Sequence, residues 1–372
     1  MHVIVGNWRP DSYKKGISVY DYEEETGTFS SVFHGFSDIA VSFLGDSLHN
    51  NILYATNETD VLTEDGFGNE IIALALSNGA DLVSILDTSS SLGPNPSWLC
   101  IDKTGKYLLA AHHGGFGHTS TVIRNDNGDL CEMPVLDQSH IIMFRLKENG
   151  SFDKPVDAFL PKTKDPSVPT KISRTHCISK APFANLYLVC DKGLDLVFSI
   201  TIDYQTETLK LLDQVSVAPG AAPRYGTCHN VLPIFFADME EKTDIYSFCY
   251  DEDGRLSVLQ IINVFPETPA CKSKASDIIF DASFRHLYVG YRGENLIAII
   301  DVDENGVMSL NTKIKNPDGA PNILRFSPDQ RFLFVTNIFE GVISQYQVEK
   351  NGLLTYMRQA AADSCPATML FV

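Results

Sequence analysis

The chain is short of cationic residues. Its 372 residues hold 29 Lys and Arg against 47 Asp and Glu, a formal net charge of −18 at pH 7. A surplus of that sign argues against a nonspecific nucleic-acid binder, which needs a basic face to neutralise phosphates. There is no apolar run of the ~18 residues that a membrane-spanning helix needs, so no membrane partner is expected. The opening Met1-His-Val-Ile-Val-Gly-Asn-Trp-Arg-Pro10 has no basic flank and no apolar stretch of signal-peptide length. The eight cysteines, at 100, 131, 177, 190, 228, 249, 271 and 365, form no C-x-x-C pair, and Cys190 and Cys249 sit inside apolar runs. Reduced, mostly buried thiols in a cytoplasmic protein are the expectation. Strong helical periodicity is missing, as are the G-x-S-x-G, P-loop, H-E-x-x-H and WD-repeat signatures.

What is present is a repeat. Short apolar runs, most of them ending in a polar residue, recur as Val3–Asn7, Leu53–Asn57, Leu108–His112, Leu186–Asp191, Phe235–Met239, Leu287–Tyr291 and Leu333–Asn337. Their last residues lie 50, 55, 79, 48, 52 and 46 residues apart. Most are followed by a further apolar strand, such as Ile141–Phe144, Ile245–Phe248 or Leu296–Ile300, and then by a polar-glycine pair: Thr26-Gly27, Asn149-Gly150, Asp253-Gly254, Asn305-Gly306, Asn351-Gly352. Such pairs suit hairpin turns that need positive φ. Seven four-stranded units of about 50 residues predict an all-β, seven-bladed β-propeller spanning 1–372 as one domain. The closing Pro366–Val372 resembles an inner strand without a partner, and the chain begins with a second strand without an inner one. Pairing the two would complete one blade and close the ring, removing exposed sheet edges. The long interval of 79 residues places an insert at 114–139, expected as a loop over one face.

In a propeller the inner strand of each blade lines the axis. The loop entering it and the loop leaving the second strand open on one face, so residues distant in sequence share one funnel. The starts of inner strands contribute Arg174, His176, Arg224, Asp277 and Asn322; the ends of second strands contribute His112, Asp191, Lys192, Glu240 and Arg292. Several cations converging on a protein of net charge −18 point to an anionic ligand, because the guanidinium fork matches carboxylate or phosphate. His176 and Glu240 are the proton-transfer candidates. Cys177, next along the strand from His176, should turn into the blade rather than act as a nucleophile. The His112-His113 pair has no third ligand fixed by spacing, so neither a metal nor another cofactor is expected.

The pattern Thr175-His176 with Asp191-x-Gly193-x-Asp195, Pro223-Arg224, Glu240 before Thr243-Asp-Ile-Tyr246, and Ala275-Ser-Asp-Ile278 with Arg292-Gly293 resembles the lactonase family of seven-bladed propellers. That family groups bacterial-type 6-phosphogluconolactonases with fungal carboxymuconate lactonising enzymes. The resemblance covers nearly the whole chain and implies a site of one histidine, one glutamate and two arginines, which fall on His176, Glu240, Arg224 and Arg292. Tyr225 departs from the histidine common after Pro-Arg in that family. The implied activity is opening of an anionic sugar-type lactone. Two alternatives remain open from sequence: ring closure of a carboxylated muconate, or a non-catalytic propeller that binds a sugar acid or a protein. Oligomeric state is not fixed by any feature of the chain.

Overall fold

The computed structural model describes the chain except for residues 9–15, 47–50, 60–61, 64–65, 68, 78–81, 116–117, 125–126, 137–138, 163–171 and 267–273. Seven four-stranded antiparallel sheets make the ring. In blades 2 to 7 the strands follow chain order from the axis outward; blade 4, for example, runs Thr175–Lys180, Tyr187–Asp191, Leu196–Asp203 and Thr208–Ser216. Blade 1 takes its inner strand from the C-terminus: Pro366–Phe371 pairs antiparallel with His2–Asn7. The expected closure is therefore what the structure shows. Inner strands pack in cyclic order around one axis, the C-terminal strand meeting both Leu44–Gly45 of blade 2 and Pro321–Phe326 of blade 7.

Burial explains the sequence pattern. The second strands, such as Tyr107–His112 and Phe332–Asn337, are buried along their whole length because blades stack on both of their faces. Outer strands such as Met308–Lys315 alternate toward solvent. The polar-glycine turns hold their glycines at positive φ, including Gly27, Gly150, Gly254, Gly306 and Gly352, a conformation that costs a side-chain-bearing residue about 1 kcal/mol or more.

One expectation needs correction. The 114–139 insert, expected as a loop, forms a two-stranded hairpin: His118–Arg124 pairs with Leu130–Leu136. Both segments carry β-branched residues, and Gly128 takes φ 86° at the turn. Gly117, Asn125 and Asp126, singled out in the insert, lie outside the described residues, as does Cys271.

Candidate active site

Two sets of equivalent positions build the funnel. The first is the residue immediately after each second strand. In blade order these are Trp8, Glu58, His113, Lys192, Glu240, Arg292 and Ile338, and all seven line one cavity of about 290 Å³. The second lies near the start of the inner strands. In six blades the pairing of inner and second strand shifts register there, between Pro96 and Trp98, Thr175 and Cys177, Pro223 and Gly226, Ala275 and Ile278, Pro321 and Leu324, and opposite Gly6 and Asn7. The residues skipped by the ladder include Ala367, Ser97, His176, Arg224, Tyr225 and Asn322, all of which line the same cavity. A bulge frees a residue from pairing and re-aims its side chain. Repeated around the ring, it turns a strand start into a contributor to a shared mouth.

Charge is concentrated in blades 4 to 6. Glu240 is 7 % exposed and forms direct ion pairs with Lys192 and Arg292, the second through a hydrogen bond donated by Nη2, while Arg224 Nε stands 3.7 Å from its Oε2. Burial pushes the Glu240 carboxyl up, but Lys192, Arg224 and Arg292 together outweigh it and leave it well below the usual carboxylate range. Lys192 moves the other way from an ordinary salt-bridged lysine. Burial lowers it, and repulsion from Arg224 and Arg292 adds to that against the attraction of Glu240. Within blades 4 to 6 three cations thus face one ionised carboxylate, and Glu58 of blade 2 lines the same cavity. Arg224 is further held by the carbonyl of Ser276 and lies over the Tyr225 ring at 4.2 Å; Arg292 Nη2 also donates to Ala275 O at 3.4 Å. The Nε atoms of both arginines are buried without a hydrogen-bond partner.

His176 sits beside this cluster, 5.1 Å from Tyr225 and 5.4 Å from His113 between ring centroids. Its Nδ1 is buried with no partner. Burial, followed by the positive charge of Arg224 and Lys192, holds its pKa well below 6.5. His113 is pushed down to about 3 by burial and then by Lys192 and Arg174, and its Nε2 lies 3.4 Å from Lys192 Nζ. Both imidazoles are therefore neutral at pH 7. Among the described residues no group of three or more His, Cys, Asp and Glu is arranged to hold a metal ion.

The family description "Lactonase, 7-bladed beta-propeller" matches residues 2–371. The chain belongs to this lactonase family. Among its relatives, the 6-phosphogluconolactonase of Bacillus subtilis is 22% identical over 342 residues, covering 89% of this chain and 87% of the relative. The 6-phosphogluconolactonase of Formosa agariphila is 23% identical over 381 residues, covering 99% of each chain. The solved structure of a periplasmic gluconolactonase from Pseudomonas aeruginosa superimposes with a TM-score of 0.82 at 18% identity, covering 100% of this chain and 98% of that one. No helix among the described residues is long and apolar enough to cross a membrane.

Within this lactonase-family funnel, His176, Glu240, Arg224, Arg292, Lys192 and Asn322 come together as the sequence reading expected. Four other candidates do not line it. Asp191 is fully buried and accepts from Ser173 Oγ (2.6 Å) and from the backbone N of Arg174 (2.9 Å), Gly193 (3.0 Å) and Leu194 (3.0 Å). It clamps the strand end to the next turn, where a Cβ on Gly193 would fall 1.9 Å from Ile172 O. Arg174 turns to Gly115 O at 3.2 Å. Asp277 fastens blade 6 to blade 7 through Leu324 N (2.8 Å) and Arg325 Nη1 (3.0 Å). His112 is fully buried, its Nδ1 2.8 Å from His140 O, and His113 takes the place in the funnel expected for it. Reading one residue beyond each second strand would have found Trp8 and Ile338 as well. Cys177 is buried with its thiol against Gly226 O at 3.6 Å, and burial pushes it up to about 12, which leaves it an inert thiol.

Proposed function

We propose that this chain hydrolyses an anionic sugar-type lactone of the 6-phosphogluconolactone class. One observation carries the reading: one buried and two partly buried cations share the Glu240 carboxylate, beside a neutral histidine whose Nδ1 has no partner, in one small cavity. Buried cations in excess favour an incoming carboxylate or phosphate, because burial weakens the competing hydration. The names of its relatives, 6-phosphogluconolactonases, support the same substrate class.

In the proposed reaction water attacks the lactone carbonyl carbon. His176, uncharged at neutral pH, accepts the water proton. Arg224, whose Nε has no hydrogen-bond partner, and Arg292 stabilise the negative charge that develops on the carbonyl oxygen. The ring C–O bond breaks and the proton passes from His176 to the leaving alkoxide, giving the open hydroxy acid. Glu240, fully ionised and held by its three cations, is a weak base. Its part is to orient Lys192 and Arg292. Lys192, Arg292 and Asn322 would hold the substrate's anionic and hydroxyl groups.

Hydrolysis of 6-phosphoglucono-δ-lactone, measured above its spontaneous rate, tests this. His176→Ala and Arg224→Ala should each lower kcat/KM by about 10²–10⁴-fold while the variants stay folded. Wild-type turnover by both would overturn the assignment. Loss of carboxymuconate absorbance without lactone hydrolysis would instead place the chemistry in the ring-closing direction. Cys100, Cys177, Cys190, Cys228 and Cys249 are free thiols, which fits a cytoplasmic setting.

A further inference from the structure

The funnel has two unlike halves. Cations and His176 belong to blades 4 to 6, whereas the equivalent positions of blades 7 and 1 carry Ile338, Trp8 and Ala367. Trp8 packs on a small buried cluster of Ile338, Cys365 and Ala367, and its backbone N donates to Cys365 O at 3.0 Å, so the indole is seated on a firm base. Phe339, one residue further along, also lines the cavity and is 65% exposed at the turn that leaves the second strand of blade 7. A single exposed aromatic needs no explanation. Two aromatics, an isoleucine and an alanine lining one polar cavity from two neighbouring blades do. The guanidiniums come from blades 5 and 6 and this apolar lining from blades 7 and 1, so an occupant of the cavity would meet both positive charge and hydrocarbon. Asn322, the polar residue of this half, already donates to Ala367 O at 2.8 Å.

We propose that Trp8 and Phe339 form a platform for the C–H face of a pyranose-type lactone ring, whose phosphate or carboxylate reaches Lys192, Arg224 and Arg292. The idea rests on the sugar-lactone reading above and adds the specificity-determining side of the site. A six-membered ring with equatorial hydroxyls presents hydrogens on its faces and polar groups at its rim. Its face is the part suited to an aromatic surface, and its rim the part suited to hydrogen bonds. An axial hydroxyl on that face would be pressed against the indole without a partner, so the platform discriminates by ring stereochemistry as well as by charge.

Calorimetry on the full chain with glucose 6-phosphate, galactose 6-phosphate and inorganic phosphate separates the two halves, because none of the three is a lactone and binding is read without turnover. The wild-type chain should bind glucose 6-phosphate more tightly than galactose 6-phosphate or inorganic phosphate. Trp8→Ala and Phe339→Ala should each weaken glucose 6-phosphate by about five- to tenfold and leave inorganic phosphate within about twofold, while Trp8→Phe should restore most of the loss. Phe339 is largely exposed, so its variant keeps the test alive should Trp8→Ala unfold. Equal weakening of both ligands, unchanged glucose 6-phosphate affinity in the variants, or no wild-type preference for the ring would overturn the platform. Lactone turnover without dependence on Trp8 or Phe339 would remove the platform alone. A platform-dependent affinity without lactone turnover would remove the hydrolase reading alone.

Discussion

The two mouths of the propeller channel are built from the same inner strands yet treat charge differently. At the mouth described above, Lys192, Arg224 and Arg292 share Glu240. At the other, a cavity of about 620 Å³, Arg325 has its own partner in Asp277 at 3.0 Å and donates to Leu324 O at 2.7 Å. Between them stands an aromatic column: Phe43 stacks on Trp98 at 4.2 Å, Trp98 meets Tyr225 at 4.9 Å, and Tyr225 meets His176. One arginine matched to one carboxylate is a fastening between blades. Three cations matched to one carboxylate leave positive charge for something else. The presence of arginines in a propeller mouth therefore says little until their partners are counted.

Perturbing each mouth tests that contrast, and the largest effects belong to the crowded one. Arg292→Ala should cut kcat/KM for the phosphorylated lactone by about 10²–10³-fold, whereas Arg325→Ala should leave it within about twofold and lower only thermal stability. Stopped assays on both purified variants decide this, and a comparable activity loss in Arg325→Ala would erase the distinction. Glu240→Gln comes next. Removing the carboxylate they share leaves Lys192, Arg224 and Arg292 facing each other, so unfolding should become easier by several kcal/mol, read from denaturant midpoints. An unchanged midpoint would mean that the cluster is hydrated rather than confined.

Asp238, beneath Tyr225, gives a smaller and pH-dependent effect. Burial raises its pKa from 3.8 to about 7, although Tyr225 N donates to it at 2.9 Å. A raised carboxyl binds more protons folded than unfolded, so stability falls as pH rises from about 4 to about 7 and then levels off. Asp238→Asn should remove most of that fall, which a series of melts across pH would show; an unchanged slope would place its source elsewhere. The smallest expectation concerns the acid limb of activity. His176 acts in its neutral form and its pKa is held well below 6.5, so kcat/KM should stay flat as pH falls through 6.5 and decline only at lower pH. A decline centred near 6.5 would contradict a buried, neutral His176.

Most of the ring was readable from the chain because its cause is local and repeated. Each second strand is an apolar run buried on both faces, and its polar end residue recurs, so counting those ends gave seven blades and their order. The core of the site followed from the same register, since His176, Arg224, Glu240 and Arg292 occupy repeated addresses. The errors arose where an address was taken one residue short or where charge was equated with exposure. His112 completes a strand and points inward, and its neighbour His113 enters the cavity. Asp191 and Asp277 are acidic residues but spend their oxygens on backbone amides and, respectively, on the Ser173 hydroxyl and on Arg325. The bulges that free His176 and Arg224 depend on strand pairing across the blade, which no single segment encodes. Trp8 stands directly beyond a second-strand end and Phe339 two residues beyond another, but neither is ionisable, so charge does not mark them.

The central claim is that surplus buried cations select an anionic substrate. The most direct measurement is the ratio of kcat/KM for 6-phosphoglucono-δ-lactone to that for unphosphorylated glucono-δ-lactone, taken in the wild-type chain and in Arg292→Gln. A wild-type ratio of about tenfold or more that collapses toward one in the variant is the predicted result. A wild-type ratio near one, or a ratio untouched by the substitution, would contradict it.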